Sequence, residues 1–307
     1  MKKIIALLLT LCMVLALVAC GGTNNDTQGD TQTDGTQTGD TQTTQGDTTT
    51  PDTQEPKLTT VTEGKLTVAT SPDFAPYEFY MLDENGTPTL AGFELALAQY
   101  IADYAGLELE IIAMDFDGTM TELGNKTVDL GMAGYSPKPE RETIMDFSDI
   151  FYSGGQSFIC LKDNAAQFAS LADTNKAEYQ IGAQIGSIQA DLAKENSPDA
   201  DLVELTKVTD IIAELLTGKL DGAYIETVVA ENYAKNYPDL CVALEVPYDQ
   251  EGSVVGVSKG NAELLAVVNE AIAAAKADGS IDKFIAEANL QSEGDTAILV
   301  DGEIVAD

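Results

Sequence analysis

The chain has 307 residues, with 51 acidic side chains against 16 basic ones, no histidine and a formal net charge of −35. A chain this acidic has no basic surface with which to hold a nucleic-acid backbone, so nucleic-acid binding is excluded. Without imidazole, any proton-transfer chemistry would fall to carboxylates or other groups.

The N-terminus opens on a basic "MKK", followed by an apolar run, Ile4 to Ala19, too short and too near the end for an ordinary membrane span. It reads as a secretory signal peptide over 1–19. Leu17-Val18-Ala19-Cys20 resembles a bacterial lipobox, in which Cys20 becomes the lipidated first residue of an extracytoplasmic protein anchored to the cell membrane. The alternative is a plain signal peptide with an incidental cysteine. Residues 20–58 are dominated by Thr, Gln, Asp and Gly and contain almost no large apolar side chain. Such a segment cannot offset its own ordering entropy, so it is expected to be a flexible tether with a reach on the order of 35 Å.

From residue 65, strand-like and helix-like runs alternate. "KLTVAT" (65–70) predicts a strand, and "GFELALAQYIADYAG" (92–106) a helix with Phe93, Leu97, Ile101 and Tyr104 on one face. Strands follow at 107–113, 127–133 and 155–162, with a helix after Pro139. The pattern restarts with strands at 179–184, 201–205, 220–225 and 240–246, separated by helices starting near Ser187, Thr209 and Thr227. A strand at 252–260 precedes a helix with Asn261 as N-cap and Gly279 just past its end, then a last helix. This is an α/β pattern with mainly parallel sheets in two blocks, which predicts two lobes. "AILVDGEIV" (297–305) reads as a small hairpin turning at Asp301-Gly302. Cys160 and Cys241 lie in apolar runs and read as buried thiols rather than a disulfide.

Ligands of open α/β sheets sit beyond the carboxyl ends of the strands. The residues expected there are Ser71, Asp73, Phe74 and Tyr77 after the first strand, Phe116 after the second, and Gly134, Ser136 and Arg141 after the third. In the second block they are Gln184, Ser187 and Gln189, then Glu226. Arg141 is the only arginine of the chain, against 15 lysines. A guanidinium presents paired donors in one plane and holds a carboxylate bidentately, which an ammonium does not. Glu226 could accept from an α-ammonium, and Phe74 and Phe116 could cover an apolar ligand body. Each also has a bland reading: a surface ion pair for Arg141 with Glu140, Glu142 or Asp146, a core role for the two phenylalanines, and a helix-start charge for Glu226.

These stretches, "LTVATSPDFAPYEF", "DFDGTMTEL", "VDLGMAGYSPKPERETIMDFSDIFYSGGQSFICLK", "IGAQIGSIQADL" and "GKLDGAYIETVVAENY" among them, follow one another in the order seen in the polar amino-acid-binding proteins of bacterial ABC importers. The resemblance spans about 65–290. It implies a type II, two-lobed periplasmic-binding fold with lobe 1 over 59–157 and 253–291, lobe 2 over 158–252, and a tail over 292–307. It also implies that the lobes close on a free amino acid. Arg141 then matches the carboxylate-binding arginine, with Ser136 a nearby hydroxyl and Gly134 a backbone contact to the α-ammonium. Phe74 and Phe116 match the ligand sandwich, Ser187 falls in the second lobe's carboxylate-binding turn, and Glu226 matches the acid that takes the α-ammonium. Ser71 and Gln184 complete the expected site.

Three departures stand out. Ala133 replaces a small hydroxyl, Lys138 replaces a helix-capping Ser or Thr, and Ser71 stands where binders of basic amino acids often carry aspartate. Asp73 and Gln184 could still form a polar pocket for the ligand side chain. The implied function is that of a non-enzymatic, cofactor-free, monomeric receptor delivering an amino acid to an ABC permease and its ATPase. A dehydratase using a cleft carboxylate, or a ligand-sensing partner of another protein, are the alternatives.

Overall fold

A computed structural model describes residues 58–293 except 84, 250 and 251, together with the backbone of 299–300 and 303–304. The signal peptide, Cys20 and the tether up to residue 57 therefore lie outside the described residues. No helix among the described residues is long and apolar enough to cross a membrane.

The chain begins with β1 (Lys65–Thr70), β2 (Asp73–Phe74), β3 (Glu78–Leu82), β4 (Pro88–Ala91), α1 (Phe93–Ala105), β5 (Glu108–Ala113), α2 (Phe116–Gly124), β6 (Leu130–Gly131) and β7 (Met145–Phe147). It continues with β8 (Gln156–Leu161), β9 (Gln180–Gln184), α3 (Ile188–Asn196), β10 (Asp201–Leu205), α4 (Val208–Leu216), β11 (Gly222–Glu226), α5 (Thr227–Asn236) and β12 (Leu240–Val246). It ends with β13 (Gly256–Ser258), α6 (Ala262–Ala277), α7 (Ser280–Gln291) and a hairpin of β14 (Leu299–Val300) and β15 (Glu303–Ile304) in the region where one was expected.

Two five-stranded sheets result, in the orders β5-β1-β6-β13-β7 and β10-β9-β11-β8-β12. Strands β1 and β9 are buried on both faces beyond their first residues, as in a parallel sheet covered by helices. The pairings of β1 with β5 and β6, and of β9 with β10 and β11, are parallel as expected. The other half of each sheet is antiparallel. The reason is topological: β8 and β13 are the first strands after the chain crosses between sheets, so no helical crossover within their own sheet sets their direction. Both sheets are therefore mixed. The crossings occupy 148–155 and 247–255, and the division expected at 157/158 falls inside β8.

Several local expectations differ from the structure. Only Leu130–Gly131 of the 127–133 run is ladder-paired as a strand. The helix after Pro139 is a 3-10 turn, Pro139–Thr143, cut short because Met145 already enters β7. The antiparallel sheet β2-β3-β4 and strand β7 had no counterpart in the sequence reading. In α1, Phe93, Leu97 and Ile101 are buried, but Tyr104 is 48% exposed. The last turns of α1 are covered through Tyr100 instead, whose ring meets Phe284 of α7 at 6.2 Å. Cys160 and Cys241 oppose each other across β8 and β12 as free thiols, the first buried and the second half-buried.

The two crossing segments hydrogen-bond to each other, with Ser253 N–H donating to Tyr152 O at 2.7 Å and Phe151 N–H to Ser253 O at 3.0 Å. Gly252 makes this approach feasible. Its φ is +74°, and an added Cβ would lie 2.2 Å from the Tyr152 carbonyl oxygen, a backbone atom with no freedom to give way. Gly252→Ala should therefore destabilise the chain by about 2 kcal/mol or more. Urea unfolding would measure this, and an unchanged midpoint would show that the crossings tolerate separation.

Candidate ligand-binding site

The segment from Ala133 to Arg141 leaves β6 through a tight turn. Gly134 has φ +61°, and a Cβ there would lie 2.8 Å from the Phe74 ring, so this position requires glycine for both conformation and space. Its N–H donates to Glu94 Oε1 at 3.1 Å, which ties the turn to the start of α1. The chain then doubles back through Pro137 and Pro139 and delivers the Arg141 side chain inward, where it is only 6% exposed.

Arg141 donates to Ser136 O at 2.9 Å and, across the cleft, to Gly186 O at 3.1 Å. Its guanidinium lies 5.5 Å from the Phe116 ring centre and 5.7 Å from that of Tyr135. Among the described residues no carboxylate pairs with it. Burial pulls its pKa below the usual arginine value. The surface ion pair that was its bland alternative is absent from this arrangement.

Glu226 ends β11 in the other lobe and is 4% exposed. Its Oε2 accepts from Val229 N–H at 3.0 Å, as the N-cap of α5. Its Oε1 is buried without a hydrogen bond of good geometry and faces Gly154, close to the Tyr77 hydroxyl. Burial pushes the carboxyl up to about 7, against the Val229 and Val228 N–H groups and the Tyr77 hydroxyl, which favour the anion.

Two adjoining pockets lie between the lobes and share Gly134, Ser136 and Gln189. Glu226 lines one and Arg141 the other, together with Phe74, Phe116 and Gln184. Seven of the nine residues predicted for the site thus line this cavity. Ser187 and Ser71 do not. The Ser187 hydroxyl donates to Gln184 O and accepts from Ala190 N–H as the N-cap of α3. The Ser71 hydroxyl donates to Asp73 Oδ1 at 2.9 Å.

Tyr77 and Gln189, expected at strand ends, also line it, and the lining residues outside the expected set include Gln156, Ile188, Tyr248 and Ser253. Gln189 sits two positions after Ser187 and donates to Gln156 Oε1 at 2.8 Å. Tyr248 and Ser253 come from the second crossing, whose sequence carries no motif. Lys138, without a capping side chain, instead forms an ion pair with Asp191 of α3 across the cleft.

Behind the Gly134 turn lies a second polar feature. Glu78 and Glu94 are both fully buried, with no cation beside them. Burial and their mutual repulsion hold Glu78 well above the usual carboxylate range, and burial pushes Glu94 up to about 8. Burial likewise raises Asp73 to about 6.

A two-lobed α/β body with an oppositely charged pair of buried groups across its cleft is the architecture of a small-ligand binding protein. A family model for bacterial extracellular solute-binding proteins, family 3, matches residues 66–288, and the chain belongs to that family. It is similar to the arginine-binding extracellular protein ArtP of Bacillus subtilis, with 31% identity over 92% of this chain and 96% of that one. It also resembles the amino acid ABC transporter substrate-binding protein AbpA of Streptococcus pneumoniae, solved with L-arginine. The TM-score is 0.72 at 33% identity, covering 75% of this chain and 97% of the other. A cyclohexadienyl dehydratase of Pseudomonas aeruginosa is 26% identical over 64% of this chain and 72% of its own length.

The raised carboxyls have a measurable consequence. The folded chain retains protons that the unfolded chain, with carboxyls near 4, releases. Stability from these groups is therefore present below about pH 4 and is lost as pH rises through 6, 7 and about 8, the folded values of Asp73, Glu226 and Glu94. The urea midpoint should fall between pH 5 and pH 9, and Glu94→Gln should make that fall shallower. A midpoint that rises over this range would contradict the assignment.

Proposed function

We propose that this chain captures a free L-amino acid between its lobes and hands it to a membrane permease with its ATPase. The observation that carries the reading is the pairing of Arg141 and Glu226 across adjoining pockets, each buried and each without a counter-ion among the described residues. A zwitterion supplies the carboxylate that one needs and the ammonium that the other needs. In the proposed complex, Arg141 and Ser136 bind the α-carboxylate. Glu226 takes the α-ammonium with help from the Gly134 backbone, and Phe74 and Phe116 enclose the side chain.

Arginine is the first ligand to test, because relatives of this family bind it and two aromatic faces suit a planar cation. The reading extends to a monomer that works outside the cytoplasm, held to the cell membrane by a lipid on Cys20. Turnover is not part of it. Glu226 is committed on one oxygen to the α5 N-terminus, and its other oxygen, beside the Tyr77 hydroxyl, is the one offered to the α-ammonium.

Calorimetric titration with the twenty amino acids tests the proposal. At least one should bind in the micromolar range or tighter, and no response to any of them would sink it. Arg141→Lys should weaken the best ligand about 100-fold, equivalent to about 2.7 kcal/mol, by replacing a bidentate contact with a single point charge. An affinity within twofold of the parent would remove Arg141 from the site.

A further inference from the structure

Gln184 closes β9 and lines the Arg141 side of the cavity. Its amide nitrogen donates to Asp73 Oδ2 at 3.3 Å and to Thr206 O at 3.1 Å. Both partners are oxygens that accept, a carboxylate and a backbone carbonyl, so the orientation of the amide follows from chemistry. Both N–H bonds are spent, and no donor among the described residues bonds to Gln184 Oε1.

Asp73 is itself rigidly held. Ser71 Oγ donates to its Oδ1 at 2.9 Å, Val208 N–H donates to its Oδ2 at 2.5 Å, and the Tyr233 hydroxyl donates to its carbonyl oxygen at 3.1 Å. Three of these partners, Gln184, Val208 and Tyr233, come from β9, α4 and α5 of the opposite lobe. The carboxylate that joins the lobes thus also sets the amide.

We infer that Asp73, by locking Gln184 with its oxygen toward the cavity, makes the site select amino acids whose side chains donate hydrogen bonds and reject those whose side chains only accept. The inference rests on amino-acid capture and adds its selectivity. Asp73 is a positioning residue here, acting through Gln184. A ligand guanidinium, ammonium or carboxamide satisfies the Gln184 oxygen. A ligand carboxylate meets that oxygen with like polarity, and Arg141, the only cation among the described residues lining the two pockets, is taken by the α-carboxylate. A site built to hydrogen-bond one partner type rejects an analogue lacking it by large factors, because its own polar group is then buried unpaired.

The test is titration of the full chain with L-arginine, L-glutamine and L-glutamate, for the parent, Asp73→Ala and Gln184→Leu. For the parent, glutamate should bind at least roughly 100-fold more weakly than arginine or glutamine. Asp73→Ala removes the acceptor that Gln184 shares with the Val208 N–H and leaves the amide held by Thr206 O alone, so it can turn; the arginine-to-glutamate ratio should then shrink at least tenfold, chiefly through stronger glutamate binding. Gln184→Leu should shrink the same ratio through weaker binding of arginine and glutamine. Glutamate binding on a par with arginine in the parent would overturn the inference while leaving capture intact. So would an unchanged ratio in a folded Asp73→Ala or Gln184→Leu chain. Binding of none of the three while another amino acid binds would also overturn it, whereas binding of no amino acid at all would fail the capture reading itself.

Discussion

Burying a charge without a partner is among the costliest things a protein can do, and this one does it twice in facing positions. Arg141 and Glu226 are each more than nine-tenths buried. Neither has a counter-ion among the described residues, and each spends part of its hydrogen-bonding capacity on backbone groups nearby. Desolvation accordingly depresses the pKa of the arginine and raises that of the glutamate. The two charges belong to different lobes. An amino acid carries one complement for each, and its two charged groups lie at the separation of a single carbon atom. Ligand selection and lobe closure are then one event.

The fold supplies the geometry for this at little extra cost. Each lobe places its site residues just past the carboxyl ends of parallel strands: Phe74 and Asp73 after β1, Gly134 and Ser136 after β6, Gln184 at the end of β9 and Glu226 at the end of β11. The two crossing segments, paired through Tyr152 and Ser253, bring the sheets together along one side. Contacts across the cleft come from single residues rather than from a broad interface: Asp73 with Val208 and Gln184, Lys138 with Asp191, and Arg141 with Gly186. Such contacts are individually worth about 1 kcal/mol, enough to bias closure without locking it.

Sequence legibility followed how local the cause was. Arg141 stood out because the chain uses no other arginine, and its position after a strand and a Pro-Glu turn pointed inward. Glu226, Phe74 and Phe116 were legible as strand-end residues. Lys138 looked like a defect in a helix cap because its partner, Asp191, is 53 residues away, and only the meeting of the lobes brings them together. Ser187 is legible as a strand-end residue, and in the fold its hydroxyl caps α3, a local role its position before a helix also allows. The buried pair Glu78 and Glu94 drew no attention, since each sits in an ordinary amphipathic run and only the tertiary fold removes them from water. Strand β7 and the strands of the β2-β3-β4 sheet are only two to five residues long, which leaves little periodicity to read, although Asn85-Gly86 between β3 and β4 is a usable hairpin signal.

The central claim is that one ligand bridges Arg141 and Glu226. A crystal structure of the chain grown with its tightest-binding amino acid tests it most directly. The account predicts the α-carboxylate within hydrogen-bonding distance of the Arg141 guanidinium and the α-ammonium against Glu226 Oε1, with the side chain running between Phe74 and Phe116 toward Gln184. A ligand bound elsewhere, or one that leaves either charged group without a contact, would contradict it.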